Sequence, residues 1–124
     1  MCRPWRIQEA ETWQRDTYPH PSSERDLLRC LARILPVIEA DGATPPVAVC
    51  LTLTDVRGMQ MANNFGKSHE IQDDHLVLPE VMLESFDDPA GKIVKPIFDL
   101  IWNALGYEKS TNFDADGNWV SRGF

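Results

Sequence analysis

The stretch that decides the fold is DDPAGKIVKPIFDLIWNALG, residues 87–106. Asp87 or Asp88 is suited to cap a helix, Pro89 to occupy its first position, and Gly106 to end it. Apolar residues fill most of the positions between these signals, and the polar ones form one narrow stripe, Lys92, Lys95, Asp99 and Asn103. Lys95 and Asp99 are four residues apart, so we expect them to form an ion pair. We therefore predict a helix that is central to the fold or half-buried in a subunit interface.

A second helix is predicted upstream of this stretch. Ser22 or Ser23 can cap it, residues 41–42 (Asp-Gly) can stop it, and Pro36 should kink or shorten it. Its apolar residues recur at the spacing of one buried helix face: Leu27, Leu28, Leu31, Ile34, Leu35 and Ile38.

Alternating residues between the two helices predict strands. The best one is 47–54, followed by a returning strand at 59–62 and by extended segments at 76–78 and 81–83 around Pro79. Pro79 cannot donate to a ladder, so we expect an edge or an interruption there. The first strand should place Val47, Val49, Leu51 and Leu53 on one face and Ala48, Cys50, Thr52 and Thr54 on the other.

These elements predict a small α+β fold. It would have a mainly antiparallel sheet with two long helices on one face. A length of 124 residues is typical of one domain with a single core. We assign residues 22–124 to this domain and residues 1–21 to an N-terminal helical arm that Pro19 and Pro21 interrupt.

The charge and cysteine content restrict the class of protein. A net charge of −7 argues against direct binding of nucleic acid or of an acidic membrane, because both need clustered Lys and Arg. Three cysteines without a Cys-x-x-Cys pair indicate reduced thiols, and no apolar run is long enough for a membrane span. We expect a cytoplasmic protein.

Two sets of residues are candidates for contacts with a partner. Tryptophan is enriched in interface hot spots, and the chain has Trp5, Trp13, Trp102 and Trp119. Arg25, Arg29 and Arg33 lie four residues apart and should form a ridge on the second helix. This ridge is expected either to receive a phosphate or an acidic partner, or to be solvated beside Glu24 and Asp26.

The acidic turn NFDADG resembles the start of a calcium-binding loop. Asn112, Asp114, Asp116 and Gly117 match its first six positions, but the twelfth is Gly123 in place of a bidentate Glu. We expect a polar turn held by Asx side-chain hydrogen bonds, so these residues are weak metal candidates. No cofactor is expected.

Two further groups are incomplete as catalytic or nucleotide sites. Residues 66–68 (Gly-Lys-Ser) end like a phosphate-binding loop, but Met61 stands where its first Gly is needed. The other group is His69, Glu70, Asp73, Asp74 and His75. It has the side chains for a metal or for acid–base chemistry, but a solvent-facing loop accounts for it as well. We predict no enzymatic activity.

Several segments resemble the C-terminal region of bacterial ATP-binding proteins that carry a Schlafen-type, AlbA-like domain at their N-terminus. They are residues 47–53, 56–62, 78–86 and, most clearly, 96–107, and then Ser110, Asn112, Phe113, Asp114, Gly117, Asn118 and Trp119. The nucleotide chemistry of that family is assigned to its N-terminal domain. The resemblance therefore implies a regulatory or assembly-forming region, as a stand-alone protein or a fragment, and transfers no catalytic residue.

Taken together, the sequence predicts a non-catalytic interaction or regulatory module that binds a protein partner or a second copy of itself as a homodimer. One alternative is a small-molecule-sensing domain, whose pocket between sheet and helices would be lined by Thr52, Thr54, Asp99 and Trp102. Another is an acidic inhibitor of a nucleic-acid-binding protein.

Overall fold

The structure, a computed structural model, describes residues 17–18, 20–61 and 69–120. Within these ranges it confirms a small α+β fold. The elements in chain order are β1 (Thr17–Tyr18), α1 (His20–Ala40), β2 (Val47–Val49), β3 (Thr52–Thr54), β4 (Gln60–Met61), β5 (His75–Val77), β6 (Val81–Leu83), α2 (Ala90–Ile93) and α3 (Lys95–Ala104).

Helix α1 is longer than the sequence predicts. It begins at His20, so Ser22 and Ser23 lie inside it and neither serine caps it. It also continues through Pro36, so that of the two predicted effects, a kink or a shorter helix, the shortening does not occur. Pro36 faces solvent, where water can bond the carbonyl that the missing N–H leaves without a partner. The predicted stop is confirmed, because Gly42 follows Ala40 closely with a φ of 100°.

The predicted strand 47–54 is two short strands of one antiparallel ribbon. Val47–Val49 pairs with Val81–Leu83, and Thr52–Thr54 pairs with His75–Val77. Between these ladders residues 50–51 face residues 78–80, so the second segment has one extra residue and Pro79 lies within it. The interruption predicted at Pro79 is therefore confirmed. We call β2, β3, β5 and β6 the ribbon.

The two faces of the ribbon differ sharply in exposure. The alternation predicted for 47–54 is confirmed, because Leu53 is buried, Val47, Val49 and Leu51 are half-buried, and the residues between them are exposed. On the second segment Leu78 and Leu83 are buried. One face of the ribbon therefore packs on the core and the other faces solvent.

The described part of the predicted returning strand, residues 59–61, does not pair with the strand before it. Instead Gln60–Met61 pairs in parallel with Thr17–Tyr18. Strand β1 is thus tied to the middle of the chain, and Tyr18 is buried in the main core. The described end of the predicted N-terminal arm belongs to the domain core.

The predicted C-terminal helix is divided in two. Pro96 has no N–H to continue the first helix, but it fits the first turn of a new one, so a four-residue α2 precedes a ten-residue α3. Asp88 does not cap a helix; its carboxylate accepts hydrogen bonds from the backbone N–H groups of Glu84 and Ser85. Gly106 ends α3 as predicted, with a φ of 95°.

Helix α3 is the centre of the core. Its buried side chains are Ile97, Phe98, Ile101 and Trp102. They pack with residues from β1, β3, β4 and the segments that follow, whereas Leu35 and Ile38 of α1 form a second cluster with Leu83 of β6. The prediction of a helix central to the fold is confirmed.

Candidate functional site

A buried carboxylate, Glu24 of α1, joins the first helix to the C-terminal part of the chain. The indole N–H of Trp102 donates to it at 2.8 Å, that of Trp119 at 3.0 Å and the amide of Asn112 at 2.9 Å. The Ser110 hydroxyl lies 3.2 and 3.3 Å from the two carboxylate oxygens. We call these five residues the Glu24 cluster.

Each member of the Glu24 cluster is placed by a different local structure. Glu24 occupies the N-terminal end of the apolar stripe of α1, and Trp102 lies on the buried side of α3. Asn112 and Trp119 flank the acidic turn, which is closed by a bridge between Phe113 and Trp119. The cluster therefore fastens α1, α3 and the C-terminal turn to one another.

Burial raises the pKa of the Glu24 carboxyl above its ordinary value, while the hydrogen bonds from its neutral donors lower it and offset part of the rise. Tyr18 is buried nearby, and burial together with the Glu24 charge raises the pKa of its phenol. Glu24 is 0% exposed. Because solvent and solutes cannot reach this carboxylate, its geometry suits a structural tie.

The solvent-facing side of the ribbon is exposed, unlike the buried Glu24 cluster. We call it the open face. Val77 is 75% exposed and Met82 is 40% exposed. The face is otherwise formed by small or polar residues: Ala48, Cys50, Thr52, Thr54, His75 and Glu80. It is a mostly uncharged surface with two exposed aliphatic side chains.

A groove of about 580 Å³ lies beside the start of β5 and the end of α3. Its lining is His69, Glu70, Ile71, Gln72, Asp73, Leu76 and Ala104. The acidic and histidine residues predicted for a solvent-facing polar loop are exposed, and all of them except His75, which begins β5, lie outside the strands. Within the described ranges, no group of three or more His, Cys, Asp or Glu residues is arranged to hold a metal ion. Residues 66–68 of the phosphate-loop candidate lie outside those ranges.

The acidic turn is held by its own side chain, as predicted. Asp114 Oδ1 accepts hydrogen bonds from the backbone N–H groups of Asp116 and Asn118, at 3.0 and 2.9 Å. This is the Asx arrangement. Asn112 is turned inward to Glu24, so it does not join Asp114 and Asp116 in a calcium-like set.

The residues predicted for partner contact fall in three places. Trp5 and Trp13 lie outside the described residues. Trp102 is 0% exposed and Trp119 is half-buried, with both indoles bonded to Glu24. The structure thus corrects the expectation for Trp102, which is inaccessible to a partner. The remaining candidates, Arg25, Arg29 and Arg33, are exposed.

The residues predicted to line a sensing pocket do not converge. Thr52 and Thr54 are on the open face, whereas Trp102 is in the core. Asp99 accepts a hydrogen bond from Lys95 at 2.6 Å, as its spacing predicted, and another from the Ser110 backbone at 3.0 Å. The groove beside β5 is lined by a different set of residues.

Sequence reasoning missed Glu24, which was considered only as a local partner for the arginines. That interpretation is wrong, because its carboxylate points into the core. A signal was present: Glu24 precedes Leu27, Leu28 and Leu31 at the spacing of the buried face. A carboxylate on an apolar stripe is rarely buried without hydrogen-bond donors to satisfy it.

The described part of the chain contains no helix that is both long and apolar enough to span a membrane. Comparison with protein-family models, curated proteins and solved structures gave no match. The resemblance to the C-terminal region of Schlafen-type ATP-binding proteins stays a prediction.

Proposed function

We propose that the protein is a non-catalytic interaction module that binds a partner protein through the open face. The observation that carries this proposal is Val77, an aliphatic residue that is 75% exposed on β5, where it lies opposite Thr52 in the last pair of the ladder. With Met82 it offers apolar area whose burial is favourable by roughly 25 cal/mol per Å². The partner surface that fits is apolar and uncharged.

The packed side of the ribbon holds the open face in place before any partner binds. Leu53 and Leu83 anchor its two ladders in the core. The open face would therefore already be ordered before a partner binds, and ordering it would cost little binding free energy. A cytoplasmic location accords with the cysteine pattern of the sequence, and the sensing and inhibitor hypotheses stay predictions.

The test is capture from a lysate of the source organism, followed by binding measurements with the purified partner. Val77→Lys combined with Met82→Lys should weaken that binding at least about tenfold, because both introduce charge into an apolar contact. Leu100→Lys is the matched control, since Leu100 is 39% exposed and belongs to α3 rather than to the ribbon. A partner that binds all of these variants equally well would overturn the proposal.

A further inference from the structure

We propose that the protein also assembles with a second copy of itself, by docking the arginine ridge of one copy into the groove of the other. The arginine ridge is Arg25, Arg29 and Arg33 on α1, and the groove is the one that contains Ile71, Leu76 and Asp73. This contact is separate from the open face and does not depend on the function proposed above.

The ridge combines cations with an aliphatic side chain. Its arginines are exposed and follow one another at about 6 Å along α1. Val37 continues the same line four residues later and is 60% exposed. Arg25 lies 3.6 Å from Asp26, whereas Arg29 has no carboxylate within 4 Å among the residues that the structure describes.

The groove offers the complementary chemistry. Leu76 and Ala104 are half-buried and supply apolar surface, and Glu70 and Asp73 supply carboxylates. Ile71 also lines the groove but is only 4% exposed. No lysine or arginine is among its described lining residues.

The carboxylates and basic groups around the groove are paired to different extents. The nearby Arg57 is held by Asp74 at 2.7 Å. Glu70 accepts a hydrogen bond from Gln60 at 2.9 Å. Asp73, in the part of the chain that is described, has no basic group within 4 Å.

Charge complementarity identifies the occupant as a second copy. The chain has 19 acidic and 12 basic residues, so most contacts between copies are repulsive. A contact that places Arg29 and Arg33 on Glu70 and Asp73 reverses that repulsion locally and puts Val37 against aliphatic surface. A helix that lies in a groove is a recurrent mode of recognition.

The proposed contact is heterologous, because the ridge and the groove are different surfaces. Each copy would keep one free ridge or one free groove after pairing, and assembly would continue into a ring or a chain. Because the ridge and the groove are different surfaces, a variant can lose one of them and keep the other.

The experiment is sedimentation velocity over a range of protein concentrations, at low and high salt. Wild-type protein should form assemblies that weaken with salt. The ridge variant (Arg29→Glu with Arg33→Glu) and the groove variant (Glu70→Gln with Asp73→Asn) should each associate at least about tenfold more weakly. The groove variant is neutral, so that it does not attract the acidic ridge of the other variant. When mixed, they should form a 1:1 complex that grows no further, because one intact ridge and one intact groove remain.

Matched controls change the same charges elsewhere. Lys92→Glu with Lys109→Glu matches the ridge variant, and Glu84→Gln with Asp87→Asn matches the groove variant; all four positions are exposed. Controls that assemble like wild type support the proposal. A monomeric wild type, variants that assemble like wild type, controls that lose assembly equally, or a mixture without the 1:1 complex would overturn it. Val77→Lys with Met82→Lys should keep self-assembly, which separates this proposal from the function proposed above.

Discussion

The Glu24 cluster and the open face use side chains in opposite ways. In the cluster, a charged residue is fully buried and four donors satisfy it. On the open face, aliphatic residues are exposed although the other side of the same ribbon is packed. The comparison teaches that polarity alone does not decide burial here: the carboxylate is buried because its donors are arranged around it, while Val77 has no described element packed over it.

Removal of the Glu24 carboxylate should have the largest effect on stability. Glu24→Ala leaves four donors without their acceptor and opens a cavity, so we expect a loss of roughly 3–5 kcal/mol in the free energy of unfolding. Urea unfolding followed by circular dichroism measures it. Glu39→Ala, at an exposed position of the same helix, should change stability by no more than about 0.5 kcal/mol. Equal effects would show that the cluster contributes no specific stability.

Gly106→Ala tests how tightly the end of α3 is built next to the groove. An added Cβ would lie 2.8 Å from the ring of His69, and the φ of 95° strains any L side chain. We expect a loss of about 1–3 kcal/mol in the free energy of unfolding, measured by urea unfolding. Gly117→Ala is the control, because it has a similar φ of 82° but no atom within 4 Å of the added Cβ. A smaller loss at Gly106 than at Gly117 would contradict the close packing.

The pH dependence of stability tests how burial and the four donors together affect the ionisation of Glu24. Because burial raises the pKa of Glu24 in the folded state, the folded protein binds a proton more readily than the unfolded chain does. The contribution of Glu24 is therefore greatest below its ordinary pKa of 4.5 and is lost as the pH rises through the raised folded value.

The measurement is the difference in unfolding free energy between wild type and Glu24→Gln from pH 4 to pH 8. Wild type should lose stability relative to this variant as the pH rises, with a slope of at most about 1.4 kcal/mol per pH unit. The subtraction removes the titration of carboxyl groups that the two proteins share. A difference that instead increases with pH would mean that the four hydrogen-bond donors lower the pKa of Glu24 by more than burial raises it.

The smallest effect is expected on the open face. Val77→Thr keeps a β-branched side chain and removes only exposed apolar surface, so the unfolding free energy should change by no more than about 0.5 kcal/mol. Leu53→Ala, on the buried side of the partner strand, should cost about 2–5 kcal/mol. Thermal unfolding of both variants decides whether the two faces differ as their exposure indicates.

The sequence predicted the local structure well where the signal was local. The alternation in 47–54, the effect of Pro79 and the stop at Gly106 all follow from backbone constraints within a few residues. The pair of Lys95 and Asp99 was equally readable from its spacing. Pro36 and Pro96 were harder, because their effect depends on whether the freed carbonyl meets solvent and whether a new helix can start.

The candidate site was mostly not predictable. Glu24 meets Trp102, Ser110, Asn112 and Trp119 across separations of 78 to 95 residues. The parallel pairing of β1 with β4 is likewise a long-range contact that no local pattern marks. The aromatic residues expected at an interface were prominent in the sequence because they are large, but Trp102 is used in the core.

The sequence by itself determined the elements of this protein: an apolar C-terminal helix, an amphipathic first helix, an alternating ribbon and an Asx-closed acidic turn. These follow from side-chain periodicity and from the limited backbone freedom of Pro and Gly. Only the tertiary structure decided that Glu24 is the buried tie, that Trp102 is inaccessible and that Val77 is exposed. The reason is that burial and hydrogen-bond satisfaction depend on residues that are distant in the chain and meet only when it folds.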